Sequence, residues 1–329
     1  MDSWYGSLGS RWQDVRERWG VAEQGLLLPA LFLLFIIAQL TFAWLWSREP
    51  RPFPVVAAQP AAAPGVVLAQ TLVRVSTILT DKSGGYLYND LLPPGVLLDN
   101  MPSWELGVLH QMRDMTRVMH RDLGLSPRMV EDADLADADA AFSGDEKAWA
   151  FPSSESEYRR GAAAVNSYAL RLAGGKDARF LVRDAYLIQW LSVVEGGLDG
   201  LSARLNSSLP DHPVLIGRRT PVLEPTSWWR VDNVFYESRG SAWALMHLLK
   251  AVEIDFGPEL ERRQALLSLR AAIHELEATQ QALWSPVILN GSGFGVFANH
   301  SLVMANYLSR ARTDLADVRM LLQTGPAAP

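Results

Sequence analysis

Polar side chains and glycines alternate between Ser285 and Leu308 in an order that could bind a phosphate group. The stretch SPVILNGSGFGVFANHSLVMANYL runs from an apolar segment through a glycine-rich turn into a helix start. Backbone amides at a helix start attract anions. The candidate ligand contacts in this stretch are Asn290, Ser292, Asn299 and His300.

The spacing of these glycines does not fit a nucleotide site. A dinucleotide-binding loop has glycine at its first, third and sixth positions, whereas the sixth position counted from Gly291 is Val296. A Walker loop requires a lysine after its last glycine, and none follows here. We therefore predict a structural chain reversal packed by Phe294 and Phe297, and no cofactor. Binding of an anionic group is the alternative.

Histidine is the usual general base near neutral pH, but the six histidines form no recognised catalytic or metal-binding pattern. His274-Glu275 lacks the second histidine of the zinc-protease motif, because Thr279 stands there. His110 and His120 lie about 15 Å apart along one predicted helix, too far to share a metal. We predict no catalytic residue and no metal ligand, and place all six at the surface or the boundary of the core: His110, His120, His212, His247, His274 and His300.

The acidic stretch Glu131–Glu146 spaces its aspartates as a calcium loop does, but in the wrong register. An EF-hand needs an oxygen ligand at position five, glycine at six and glutamate at twelve. Counting from Asp132 places Ala136 at five, and counting from Asp137 places Ala148 at twelve. The prediction is a solvated acidic loop.

Two further clusters of polar residues lie at a predicted helix start and within a predicted apolar helix. The first contains Asp99, Asn100, Trp104 and Glu105, which are candidate ligand or partner contacts. The competing interpretation of this group is helix capping by Asn100 or Ser103. The second is Glu237 with Arg239, for which we predict a partly buried ion pair.

Composition excludes several classes of function. The 329 residues carry a net charge of −6 with no dense basic block, which argues against a nucleic-acid partner. The chain has no cysteine, which excludes disulfides, thiolate nucleophiles and iron–sulfur ligation and suits an oxidising compartment. Hydrophobic residues make up 49% of the chain, enough for a large core.

The strongest signal is the uncharged stretch GLLLPALFLLFIIAQLTFAWLW at residues 25–46, which is long enough to cross a bilayer as a helix. Its end at Trp44 and Trp46 is typical of a membrane interface rather than of a signal cleavage site. Arginines are slightly more numerous before the span than after it. We predict a single-pass protein of the bacterial inner membrane with a periplasmic C-terminal domain. Residues 1–24 form a short tail, either an amphipathic helix or disordered.

The remainder of the chain reads as one all-α domain. Residues 47–65 are rich in proline and alanine and predict a semi-rigid spacer. Apolar residues then recur at helical spacing, for example from Val66 to Leu79 and from Met304 to Leu322, which predicts a soluble bundle of about seven helices over residues 66–323. Ser154, with Glu157 three residues later, is the predicted cap of one helix, and Asp177 is the predicted cap of the next. Loops are predicted at residues 131–153 and 207–230, and a flexible tail at 324–329.

Several long stretches resemble a known family. They are LLPPGVLLDNMPSWELGVLHQMRDMTRVM, FPSSESEYRRG, VDNVFYESRGSAWALMHLLKAVEIDF and LEATQQALWSPVILNGSGFGVFANHSLVMANYLSRA. These stretches are similar to an uncharacterised family of proteobacterial single-span membrane proteins, domain of unknown function 2333. The resemblance extends from about residue 65 to residue 322. It implies a bacterial envelope protein and assigns no catalytic residue.

Two functional hypotheses follow from these observations. The first is a membrane-anchored helical scaffold or adaptor, and we favour it over an enzyme. Its partners are the inner membrane, through residues 25–46, and another envelope protein, while self-association stays open. The alternative is an envelope enzyme or ligand-binding protein that acts on a glycan or lipid intermediate.

Overall fold

Helices form almost all of the regular structure in a computed structural model, which describes residues 27–56, 63–125, 130–207, 231–281 and 300–324. No β-strand occurs in these ranges, so the predicted all-α class is confirmed. The helices are α1 Leu27–Trp46, α2 Val66–Asp81, α3 Asn100–Val118, α4 Ala133–Phe142, α5 Ser154–Ala173, α6 Asp184–Ser207, α7 Val231–Asp255, α8 Gly257–Arg262, α9 Leu266–Ala278 and α10 His300–Thr324. Gly95–Leu97 form a 3-10 turn, and Met119–Leu123 extend α3 as a π-helical turn.

The first helix stands apart from the others in its surface. α1 contains 20 residues with a mean hydropathy of 2.2, and its most apolar window has no buried residue. Its leucine and phenylalanine side chains are exposed on every side of the helix. Such a helix is long and apolar enough to cross a membrane.

The other nine described helices form the bundle, two more than the approximate number predicted from sequence. Both additional helices, α4 and α8, are short. α7 lies at the centre, where every residue from Ser238 to Leu249 is buried. It contacts α2, α3, α6, α9 and α10, which explains why it is apolar around most of its circumference. α10 packs on α6 and α9, and α2 packs on α5.

Two glycines allow α3 and α7 to pack very closely. A Cβ atom at Gly240 would overlap the carbonyl oxygen of Trp104, and one at Gly107 would overlap the carbonyl oxygen of Glu237. Neither residue could carry a side chain without separating the two backbones. The Trp104 and Trp243 rings meet beside this contact, with centroids 5.2 Å apart.

The acidic stretch is helical over much of its length, so the prediction of a solvated loop is wrong for α4. The Asp132 side chain caps α4 by accepting hydrogen bonds from the amides of Asp134 and Leu135. Leu135, Ala138 and Phe142 are buried on one face, against α5. Packing of this face outweighs the low helix propensity of the aspartates.

Two predicted helix starts are also corrected. Ser153, not Ser154, caps α5 by accepting a hydrogen bond from the amide of Ser156. Ser154 is buried, and its hydroxyl donates to the preceding loop instead. Asp177 caps no helix in the described structure, because α6 begins seven residues later at Asp184.

The first half of the predicted spacer packs against the bundle, which contradicts its assignment as a spacer over residues 47–56. Glu49 Oε2 lies 2.6 Å from Arg239 Nε on α7. Phe53 is buried, its ring stacks on His247 at 3.9 Å, and its amide donates to His247 Nε2. An extended proline-rich segment can lie along a helix in this way, and it holds the bundle at the end of α1. We call residues 47–56 the juxtamembrane segment.

The same contacts correct two predictions about α7. Glu237 and Arg239 do not pair with each other, because residues two apart on a helix point in different directions. Arg239 binds Glu49 and the carbonyl oxygen of Thr279, whereas Glu237 pairs with Arg204. His247 is fully buried rather than at the boundary, and burial lowers its pKa to about 4.

Some predictions concern residues outside the described ranges. They are the N-terminal tail, the loop at residues 208–230, the glycine-rich turn within residues 282–299 and the last five residues.

Candidate functional site

The first predicted cluster falls mostly outside the described structure. Asn290, Ser292 and Asn299 lie beyond the described ranges, and only His300 is placed, at the first turn of α10. Its ring lies 6.4 Å from that of Phe235, centroid to centroid, and burial lowers its pKa. The predicted anion site therefore stays a prediction.

The second predicted cluster is divided in the structure, because two of its residues lie at the start of α3 and two are buried. Asp99 precedes α3 and Asn100 begins it, but no side chain caps this helix start, and the Ser103 hydroxyl donates to the Asp99 carbonyl oxygen. Trp104 and Glu105 are fully buried. These two side chains support the fold and present no surface to a partner in this conformation.

Glu105 holds the loop that follows α2. The Leu87 amide lies 2.9 Å from both of its carboxylate oxygens, and the Tyr88 amide donates to Oε2 at 2.8 Å. Its carboxylate also forms an ion pair with Lys82, whose side chain is 5% exposed. Burial raises the pKa of Glu105 to about 7, against the opposing influence of Lys82 and the two amides. This cluster is a buried structural support.

An open groove lies between α3, α6 and α7, and we call it the α3–α6–α7 groove. Its volume is about 400 Å³. The residues that line it are His110, Gln111 and Asp114 from α3, Gly196, Gly197, Gly200, Leu201, Ala203 and Arg204 from α6, and Glu237 and Ser241 from α7. The close packing of α3 on α7 at Gly107 brings their lining residues onto one wall.

Polar side chains from the three helices contact one another in the groove. Arg204 Nη2 lies 2.6 Å from Glu237 Oε1, and His110 Nδ1 lies 3.9 Å from the same oxygen. Asp114 stands at the edge of the groove, where burial raises its pKa. The groove therefore presents both signs of charge close together.

One buried polar atom in the groove wall lacks a partner. Gln111 is 5% exposed, and its Nε2 donates to the Ser241 hydroxyl at 2.9 Å. Its Oε1 has no hydrogen-bond partner among the described residues. This oxygen has almost no accessible surface, so we assign no ligand contact to it.

The α6 side of the groove contains three glycines. At Gly196, Gly197 and Gly200, a Cβ would meet no described atom within 4 Å beyond the backbone of α6 itself. Glycine inside a helix costs roughly 1 kcal/mol relative to alanine, and no contact within the described structure requires it here. The glycines leave a shallow channel along α6.

Comparison with known proteins supplies the family. The chain matches, over residues 21–325, a family described as an uncharacterized protein conserved in bacteria, DUF2333. The chain belongs to this family. The resemblance predicted from sequence is thereby confirmed. The DUF2333 match covers α1 and the complete bundle, so α1 and the groove belong to one family unit. No curated protein and no solved structure matches the chain.

A second depression of the DUF2333 bundle, of about 520 Å³, lies beside α4 and α5. Arg171 lies within it and binds Asp132 and Asp134, with Nη2 2.7 Å from a carboxylate oxygen of each. These contacts tie α5 to the start of α4, and we assign them a structural role. Within the described ranges, no group of three or more histidine and carboxylate side chains is placed to hold a metal ion.

The groove was not predicted as a site, although several of its residues attracted attention singly. From the sequence alone, His110 is a candidate only for a general base or a metal ligand, and Glu237 only for a partner of Arg239. The sequence signal that was missed is GGLDG at residues 196–200, three glycines within one helical stretch. That pattern indicates a helix surface kept free of side chains.

Proposed function

We propose that this chain is a membrane-anchored adaptor of the bacterial cell envelope, whose α3–α6–α7 groove binds a helical segment of another envelope protein. The observation that carries the proposal is the set of three glycines on α6, which lines an open groove shared with α3 and α7. The chain's membership of a bacterial family and its apolar first helix are consistent with this role.

The chemistry of the groove suits a helix more than a compact ligand. Gly196 and Gly200 are four residues apart and therefore lie on the same face of α6. Small residues at this spacing let a second helix approach closely, as in other helix pairs. The Arg204–Glu237 pair would bind polar groups of that helix at the rim of the groove.

The proposed location is the inner membrane, with α1 retained as an anchor and the bundle in the periplasm. The uncharged span and the slight excess of arginines before it support this orientation. Trp46, at the end of α1, packs against the bundle next to Gly84. This contact favours a retained helix over a cleaved signal sequence, because cleavage would remove part of the packing.

The orientation predicts the behaviour of a C-terminal fusion. An enzyme reporter that is active only in the periplasm, joined after Pro329, should be active in intact bacteria. A reporter active only in the cytoplasm should be inactive at the same position. The reverse pattern would contradict a periplasmic domain.

The groove predicts a specific crosslink in native membranes. A photo-crosslinking amino acid at Ala203, which lines the groove, should yield one discrete adduct of the full-length chain with a different protein. Gly200→Leu should abolish this adduct, because the leucine side chain would fill the channel. Mass spectrometry of the adduct would identify the partner and the contacting segment.

The matched control is Gly257→Leu, at a glycine outside the groove that likewise has no described atom within 4 Å of its Cβ position. This variant should leave the adduct intact. An adduct that survives Gly200→Leu, or one between two copies of this chain, would overturn the adaptor proposal. Absence of any adduct, together with saturable binding of a glycan or lipid to the wild-type chain, would favour the ligand-binding alternative.

A further inference from the structure

Several contacts identify the end of the bundle that lies next to the membrane anchor. The Trp46 ring is so close to the loop after α2 that a Cβ at Gly84 would lie 2.7 Å from it. Glu49, three residues beyond α1, binds Arg239 in the first half of α7. The loop after α2 therefore belongs to the membrane-proximal end.

A second loop lies against the first at this end. Asn89 Nδ2 donates to the Ala148 carbonyl oxygen at 2.7 Å and to Glu155 Oε2 at 3.1 Å. The Lys147 ammonium lies 5.7 Å from the centroid of the Tyr88 ring. The stretches 82–99 and 143–153 thus form one continuous surface, which we call the membrane-proximal loops.

The two membrane-proximal loops, which contact each other, together expose six large apolar side chains. Leu97 is 75% exposed, and Phe151 is completely exposed. The other members of the exposed set are Leu91, Leu92, Val96 and Trp149. Clustered apolar side chains of this size mark a surface that another phase or molecule covers.

Both loops are held in place from inside the bundle. Glu105 binds the amides of Leu87 and Tyr88 in the first loop. Arg113 donates to the carbonyl oxygens of Phe142 and Gly144 at 2.6 and 2.7 Å, at the base of the second loop. The apolar side chains therefore project from a preorganised support.

We propose that the membrane-proximal loops insert their apolar side chains into the interface of the same bilayer that α1 crosses. The loops continue the surface at which the anchor meets the bundle, so the bilayer interface is the environment next to them, and the acyl chains below the headgroups could cover their apolar side chains. Tryptophan beside leucine and phenylalanine is the composition that membrane interfaces favour. Together with α1, this second contact restrains the bundle on the membrane and fixes which sides of it face a partner. The inference rests on the proposed membrane crossing by α1 but not on the groove.

The test uses fluorescent probes on the full-length chain. Because the natural sequence has no cysteine, single cysteines at Leu97, Phe151, Leu34 or Leu267 can each be labelled with an environment-sensitive dye. Each labelled chain is reconstituted at one copy per lipid nanodisc, with and without lipids that carry a quenching nitroxide. Leu34 lies within α1. Leu267 is 78% exposed at the start of α9, close to the C-terminal end of α7, which is the end of the bundle far from the anchor.

Quenching at Leu34 reports the crossing, and quenching at Leu97 and Phe151 reports the loops. We expect nitroxide lipids to remove most of the fluorescence at these three positions and to leave the probe at Leu267 unchanged. If the probe at Leu34 is quenched but the probes at Leu97 and Phe151 keep their fluorescence, the inference is overturned, and α1 still crosses the membrane. Absence of quenching at Leu34 would overturn both. Because each disc contains one copy and the quencher is lipid, contact with a second copy cannot produce the expected result.

Discussion

Gly240→Ala should lower the free energy of unfolding by about 3 kcal/mol, at the upper end of the usual cost of overpacking a core. The added Cβ would overlap the Trp104 carbonyl oxygen, which belongs to the backbone of α3 and cannot rotate away. Relief requires α3 and α7 to separate, which would weaken the contact between Trp104 and Trp243. Denaturant titration of the full-length chain in detergent micelles, followed by helical circular dichroism, would measure the change.

Gly196→Ala is the matched control, since it makes the same chemical change in another long helix. A Cβ at Gly196 meets no described atom within 4 Å outside the backbone of α6. Alanine should therefore stabilise the chain by roughly 0.5–1 kcal/mol through helix propensity. Equal destabilisation by both variants would show that close packing at Gly240 does not explain the effect.

Glu105→Gln should cost about 3 kcal/mol of stability at pH 8, because removing one partner of a buried ion pair leaves the other charge uncompensated. The variant keeps the shape of the side chain and removes its charge. Lys82, with only 5% of its side chain exposed, would then lack a counter-charge in the interior. The two amides of the loop after α2 would also lose a charged acceptor. The same denaturant titration applies.

Two comparisons separate burial from charge. Glu253→Gln removes one partner of the exposed ion pair with Arg270 and should cost less than about 1 kcal/mol. The double variant Lys82→Met with Glu105→Gln should be more stable than Glu105→Gln alone, because it removes the unpaired buried charge. A double variant that is no more stable than the single one would contradict an electrostatic origin.

The long helices could be predicted because each buries one regularly spaced apolar face. The α2 prediction began at Val66, as observed, and the α10 spacing from Met304 to Leu322 is buried as expected. Helix ends were less predictable. Ser153 and Ser154 are adjacent residues of the same type, and only the packing of the Ser154 hydroxyl against the preceding loop decides which one caps α5.

The α4 helix and the juxtamembrane segment show why other regions could not be predicted. In α4, alternating aspartates obscure the apolar face, and the helix is stabilised by α5 and by Arg171, which neutralises Asp132 and Asp134. Phe53 lies in a proline-rich stretch without periodicity, and its burial depends on His247, 194 positions later. Such contacts leave no local pattern.

The candidate groove was unpredictable for a similar reason. His110, Arg204 and Glu237 lie on three helices that are distant in sequence, and their meeting depends on how closely α3 approaches α7. Gly107 and Gly240 decide that approach, yet single glycines within a helix do not indicate which backbone they meet. Only the three glycines of α6 were visible as a local signal.

The sequence by itself determined the apolar first helix, the all-α class and the family, because length, composition and apolar spacing are local properties of the chain. It also determined the absence of cysteine chemistry. Tertiary structure alone decided that the bundle lies against the end of α1, that Glu105 is a buried support and that a polar groove opens beside α6. Each of these depends on contacts between residues far apart in the chain, and their geometry exists only once the helices have packed.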